Sequence, residues 1–187
     1  VINSADMIIP DGIGVVHGAK ILGKPLPERV AGFDLVCCLF GEMAKSGRSV
    51  YLLGAKPGVA DTAAEKLREK YKGLVIAGTH DGYFKDDEAV IEDINKANPD
   101  FLMVCIGFPK QEIWINKYRD RLNAKLAIGA GGCIDVFAGT VLRAPDFYCR
   151  HGIEWLYRLI KQPSRFVRML ALPKFGLKVL FTGRRYK

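Results

Sequence analysis

The feature that most constrains this chain is a rhythm: short apolar runs, each closed by glycine, alternate with stretches whose apolar residues recur three or four positions apart. Residues 50–53 run into Gly54, 74–77 into Gly78, 101–106 into Gly107 and 126–128 into Gly129. Strands of this kind, too apolar to have a wet face and separated by helix-length segments, are the mark of βα units on a parallel sheet. A further apolar triplet at 7–9 is a strand candidate ahead of them. Helices are expected over 14–22, 33–45, 59–70, 87–97 and 111–122, where rows such as Ala64, Leu67 and Tyr71 supply one buried face. Beyond Ala144-Pro145 the pattern changes to three short helices, 154–161, 164–172 and 174–181, punctuated by Pro163 and Pro173. The fold class expected is α/β, a Rossmann-like parallel sheet flanked by helices, with a helical C-terminal appendage.

In an open α/β sheet, ligands bind outside the carboxyl ends of the strands, so residues just past those ends carry the functional expectations. Asp11, in Pro10-Asp11-Gly12-Ile13-Gly14, stands between an apolar run and a helix. A carboxylate there acts as a general base, or caps the helix by accepting backbone N–H bonds; on residue type alone capping is the commoner use. Arg29, in the loop Pro27-Glu28-Arg29-Val30-Ala31-Gly32, is suited to hold an anion or a sugar hydroxyl, or is simply solvated. Lys110 and Gln111, in Gly107-Phe108-Pro109-Lys110-Gln111-Glu112, open a helix whose free N–H groups and positive dipole end suit phosphate and sugar recognition, although an ordinary βα turn has the same composition. Gly129, Gly131 and Gly132, followed by Asp135, form a turn that lets backbone approach a nucleotide closely. They do not match the GxGxxG dinucleotide fingerprint.

Charge is distributed unevenly. Residues 143–187 hold 11 Lys/Arg against 2 Asp/Glu, whereas residues 1–142 hold 17 against 18. Arg158, Lys161, Arg165 and Arg168 are spaced to share one helical face, broken only by Pro163, and are interleaved with Trp155, Phe166, Phe175 and Phe181. Such a segment suits a membrane interface, with nucleic-acid binding and plain core packing as the alternatives. No apolar run is long enough to span a bilayer and no signal peptide heads the chain. The cysteines, Cys37, Cys38, Cys105, Cys133 and Cys149, form no CxxC pair, which favours a reducing compartment, and the histidines His17, His80 and His151 have no second ligand at metal spacing.

Six motifs, in this order, resemble the WecG/TagA/CpsF glycosyltransferases: Pro10–Gly14, Pro27–Gly32, Gly107–Glu112, Gly129–Gly132 with Ala138-Gly139, Arg143-Ala144-Pro145 and Glu154–Arg158. The resemblance spans nearly the whole chain. It implies inverting transfer of N-acetylmannosamine, or a related sugar, from UDP to undecaprenyl-diphosphate-linked N-acetylglucosamine, in wall teichoic acid or surface polysaccharide synthesis. It also implies that Asp11 is the general base and that Arg29 and Gln111, the former counted among the catalytic residues, line the sugar and diphosphate site. Arg158, Arg165 and Arg168 would close over the departing UDP without a metal or other cofactor. On this reading residues 1–145 are a Rossmann-like UDP-sugar-binding catalytic core, and residues 146–187 a basic amphipathic appendage attaching the enzyme peripherally to the cytoplasmic face of the membrane. Members carry a further N-terminal strand and a Thr-x-Asn motif with no counterpart here, so the sheet is expected to be one N-terminal strand short. A homo-oligomer is left open. The competing readings are another UDP- or NAD-binding α/β enzyme, and a non-enzymatic basic module binding nucleic acid; the neutral body and aromatic tail count against the latter.

Overall fold

The computed structural model describes residues 1–161, 163, 166 and 170–183. In chain order its regular elements are a 3₁₀ turn (Ile2–Ser4), α1 (Ile13–Ile21), α2 (Gly32–Ser46), β1 (Ser49–Gly54), α3 (Val59–Lys70), β2 (Val75–His80), α4 (Asp87–Ala97), β3 (Phe101–Cys105), α5 (Lys110–Tyr118), a second 3₁₀ turn (Arg119–Arg121), β4 (Leu126–Gly129), α6 (Cys133–Ala138), α7 (Asp146–Arg150), α8 (Glu154–Lys161) and α9 (Ala171–Gly183). They fall into two compact units: Val1–Ile8 with Gly32–Leu142, and Ile9–Ala31 with Arg143–Lys187.

The first unit holds the sheet. Its four strands are all parallel, in the order β2-β1-β3-β4, with Val50 beside Phe101 and Phe101 beside Leu126. Successive side chains of a strand face opposite ways, and both faces here are covered. Val50, Leu52, Phe101 and Met103 join one core with Phe40 of α2, Leu67 of α3 and Ile134 of α6. Tyr51, Leu53, Leu102 and Val104 join the other with Ile91 and Ile94 of α4 and Trp114 of α5. The apolar runs are therefore the strands of a doubly wound sheet, as the rhythm implied, but only the central β1 and β3 are buried. β2 and β4 lie at the edges and are partly exposed, and β2 continues through Gly78, which leaves room for the Tyr51 ring, to His80.

Polar residues fix the two ends of this arrangement. At the amino edge, Asp100 accepts from Ser49 N–H (2.9 Å) and from Lys125 Nζ (2.6 Å), tying the starts of β1, β3 and β4 together. Those donors, Lys125 foremost, hold its carboxyl down at about 2. Asp86 caps α4 by accepting from Glu88 and Ala89 N–H. The next residue, Asp87, accepts from Trp114 Nε1 (3.0 Å) and Tyr118 Oη (2.7 Å), which binds α5 to α4. Burial pushes the Asp87 carboxyl up, but these donors, with Lys117 and Lys110 nearby, bring it below its ordinary value.

Further details differ from expectation. Residues 7–9 are not a strand: Met7 is 80% and Ile8 60% exposed, and the segment leads straight into Pro10, which has no N–H for a ladder. Three apolar residues without period do not distinguish a strand from a connection between units. The helix expected over 111–122 ends at Tyr118 and tightens into the 3₁₀ turn. Two short helices, α6 and α7, carry too little periodicity to have been read.

In the second unit α1 packs on α9. A Cβ on Gly18 would lie 3.1 Å from the Phe175 ring and 3.3 Å from Val179, so the missing side chain lets the two helices approach. The sequence places a break at Pro173, but α9 starts at Ala171 and runs through it, because Pro173 falls in the first turn, where no intrahelical N–H is required. Of the helix expected over 164–172, residues 164, 165 and 167–169 lie outside the described residues. Its Leu177, Leu180 and Phe181 remain exposed. Among the described residues no helix is long and apolar enough to cross a membrane. Of the cysteines, Cys105 and Cys133 are buried, Cys37 and Cys149 half-buried and Cys38 exposed.

Candidate active site

The order β2-β1-β3-β4 makes the gap between β1 and β3 the topological switch point, because the chain leaves β1 in one direction and returns beyond it in the other. That is where a crevice opens at the carboxyl edge of such a sheet. The turn there, Gly54-Ala55-Lys56-Pro57-Gly58, holds Ala55 at φ 62°, a left-handed conformation that costs a non-glycine residue about 1–2 kcal/mol. It is held by Ala55 N–H donating to Cys105 O (3.3 Å) and by Gly82 N–H donating to Ala55 O (2.8 Å), so the turn after β2 closes onto the turn after β1. In the sequence only the glycines closing the apolar runs, Gly54 and Gly78, were singled out here, not Ala55 or Gly82. Lys56-Pro57-Gly58 directly before a helix is the signal that marks the first of these turns.

Beside the switch point, α5 presents its first turn to the turn after β4. Gln111 is only 4% exposed. Its Oε1 accepts from Gly131 N–H (3.1 Å), and its Nε2 donates to Glu112 Oε1 (2.8 Å). A Cβ on Gly129 would lie 2.7 Å from Gln111 Nε2, so that glycine makes room for the amide. Lys110 is exposed, with Nζ 5.3 Å from the centre of the Phe84 ring. Gly132 precedes α6, and Asp135 on α6 accepts from Thr140 N–H (3.0 Å) through its carbonyl. Lys110, Gln111, Gly129, Gly131, Gly132 and Asp135 thus all belong to the sheet unit. Gln111, Gly129 and Gly131 are in direct register with one another.

Asp11 and Arg29 belong to the second unit, where they meet. Arg29 is 19% exposed in its side chain. Its Nε donates to Asp11 O (2.5 Å), and its Nη2 lies 3.4 Å from both Asp11 Oδ1 and Glu154 Oε2. Its Nη1 donates to Cys149 O (3.4 Å). The planar guanidinium therefore ties the Asp11 loop ahead of α1 to α7 and α8, while the Asp11 carboxylate itself remains 62% exposed. Asp11 does not cap α1; Gly12 occupies that position and no side chain accepts there. Glu154 was read only as part of a motif, although an acid opening a helix whose next turn carries Arg158 was a visible cue. Arg158 lies on α8, but its side chain, with Arg165 and Arg168, falls outside the described residues. Among the described residues no group of three His, Cys, Asp or Glu side chains is arranged to hold a metal ion.

A doubly wound parallel sheet with glycine-bearing turns at its switch point is the architecture of the α/β enzymes that bind nucleotide-linked ligands at the carboxyl edge. The comparisons with known proteins narrow it. Residues 1–187 match the family described as Glycosyl transferase WecG/TagA/CpsF family, and this chain belongs to that family. It is 43% identical over 180 residues to the N-acetylglucosaminyldiphosphoundecaprenol N-acetyl-beta-D-mannosaminyltransferase of Bacillus spizizenii (strain W23), covering 96% of this chain and 70% of that one. The protein of the same name from Bacillus subtilis (strain 168) is 42% identical over the same shares. That from Staphylococcus aureus (strain MRSA252) is 34% identical, covering 100% of this chain and 73% of its own length.

Proposed function

We propose that this glycosyltransferase moves N-acetylmannosamine from UDP to the N-acetylglucosamine of an undecaprenyl-diphosphate-linked acceptor, in the linkage-unit step of wall teichoic acid or a related surface polymer. The shared name of its relatives supports the substrates. The observation that carries the chemistry is the exposed Asp11 carboxylate, braced from behind by Arg29. In the proposed step the acceptor hydroxyl oxygen forms a bond to the anomeric carbon while its proton passes to Asp11. The bond from that carbon to the β-phosphate oxygen breaks, its electron pair leaves with UDP, and the configuration inverts.

Departing UDP gains negative charge, and Arg158, Arg165 and Arg168 are proposed to neutralise it through charge-assisted bonds, so that no metal is needed. The donor is proposed to lie at the carboxyl edge near Lys110, the Gly129–Gly132 turn and Asp135, where backbone can approach a diphosphate closely. Arg29, with its donors directed at Asp11, Glu154 and Cys149, is proposed to position the base rather than to hold the sugar. The basic, apolar-faced C-terminal segment is proposed to bring the enzyme to the inner face of the membrane that carries the acceptor.

Transfer of radiolabelled sugar from UDP-N-acetylmannosamine to a lipid-diphosphate N-acetylglucosamine acceptor tests the reading, and Asp11→Asn tests the base. Removing a general base lowers kcat by about a hundredfold or more. An Asp11→Asn enzyme turning over at the parent rate ends the assignment. Calorimetric titration with UDP and with NAD separates this reading from an NAD-using enzyme.

A further inference from the structure

The motif that supplies Lys110 and Gln111 ends in Glu112, a residue that the proposed chemistry leaves unused. Glu112 sits in the first turn of α5, and its Oε1 accepts from Gln111 Nε2 (2.8 Å). Gly131 N–H needs an acceptor and finds Gln111 Oε1 at 3.1 Å, which fixes which way round the Gln111 amide stands and turns its NH2 toward Glu112. The other oxygen, Glu112 Oε2, is buried, and among the described residues nothing donates to it. A carboxylate with one oxygen buried and unpaired is a poor choice for stability, because a neutral or apolar side chain in its place would bury no charge. What Glu112 provides that an apolar side chain cannot is an acceptor for the Gln111 amide.

We infer that Glu112 is a positioning residue of the transferase: it orients the Gln111 amide, which holds Gly131 N–H and so sets the backbone of the Gly129–Gly132 turn that receives the donor. The relay runs Glu112 Oε1, Gln111 Nε2, Gln111 Oε1, Gly131 N–H, every link lying within the sheet unit. Its effect on catalysis rests on the donor site proposed above; its effect on the turn does not.

Glu112→Gln keeps an acceptor oxygen for Gln111, whereas Glu112→Met keeps the length and removes it. An acid in the first turn of a helix also favours the helix dipole, but both variants lose that benefit equally, so their difference isolates the acceptor. The experiment measures donor KM and kcat, Tm, and hydrogen exchange at the Gly131 amide for the parent and both variants of the full chain. Glu112→Met is expected to raise donor KM about tenfold with kcat within about threefold, and to speed Gly131 exchange by about tenfold. Glu112→Gln is expected to recover most of both losses, with its Tm at or above the parent and above that of Glu112→Met, whose Gln111 amide is left without an acceptor. Equal losses in the Gln and Met variants, or Gly131 exchange unchanged in Glu112→Met, overturns the relay. If Glu112→Met does not fold, Glu112→Gln with slowed transfer and fast Gly131 exchange overturns it as well. A parent that transfers nothing from UDP-N-acetylmannosamine refutes the proposed donor, while the Gly131 exchange comparison still decides the relay.

Discussion

A single methyl group at Gly129 meets the most tightly specified side chain of the candidate site. The added Cβ would stand 2.7 Å from Gln111 Nε2 and 3.0 Å from its Cγ, and Gln111 is buried with its amide bonded at both ends. The glutamine must give way, and Gly131 N–H loses its acceptor. Overpacking of this kind costs about 1–3 kcal/mol, which in a chain of this size lowers Tm by several degrees. Gly132→Ala is the control, since its nearest neighbour would be Asp135 Oδ2 at 3.9 Å and its φ of −92° suits any residue; it should leave Tm within about one degree of the parent. Thermal melts of the two variants check this, and equal melting would show that Gln111 moves freely. Gln111, Gly129 and Gly131 were legible as candidates because glycines cluster after an apolar run and a helix opens just past Gly107. That Gln111 bonds Gly131 was not legible, because a contact across 20 residues leaves no trace in local pattern. The same holds for Arg29, whose partners Asp11 and Glu154 are fixed by packing in the second unit, not by spacing.

At the scale of elements, β1 and β3 were readable because parallel strands buried on both faces leave continuous apolar runs, and β2 and β4 because shorter apolar runs meet a glycine. α3 and α4 were readable because their apolar rows alternate with polar faces, with Asp86 capping α4. The amino edge of the sheet carries a consequence that no run of residues reveals. Asp100 collects Lys125 and the Ser49 N–H, and its carboxyl is held at about 2, below the ordinary 3.8. The folded chain therefore binds fewer protons there than the unfolded chain between those values. The stabilisation is fully present above about pH 4, and it is lost as pH falls through about 2. Asp100→Asn removes the charge at every pH. Denaturant midpoints of parent and variant should thus differ most near neutrality and converge toward pH 2. A gap that stays constant across that window would mean that Asp100 contributes through shape alone.

For the whole molecule, the distribution of charge decides more than its sum. Residues 143–187 carry 11 Lys/Arg against 2 Asp/Glu, and the α9 helix within them exposes Leu177, Leu180 and Phe181 while Phe175 and Val179 face Gly18 of α1. The apolar residues of α9 thus divide between two uses, one internal to its unit and one left to solvent, a division invisible in a sequence where all five read as one amphipathic pattern. Basic residues near an anionic bilayer contribute about 1 kcal/mol each, and that attraction decays within a Debye length, about 8 Å at physiological salt and about 3 Å at 1 M. The full chain should therefore sediment with vesicles containing phosphatidylglycerol at low salt and with pure phosphatidylcholine vesicles far less, and it should be released as salt rises. The paired change Leu180→Gln and Phe181→Gln leaves the charge, Phe175 and Val179 unaltered, so it should weaken vesicle binding while leaving the fold intact by circular dichroism. A nucleic-acid module with the same charge would show the salt dependence toward duplex DNA but would be indifferent to Leu180 and Phe181. Vesicle binding that ignores both the salt and the paired change would remove the membrane from this account.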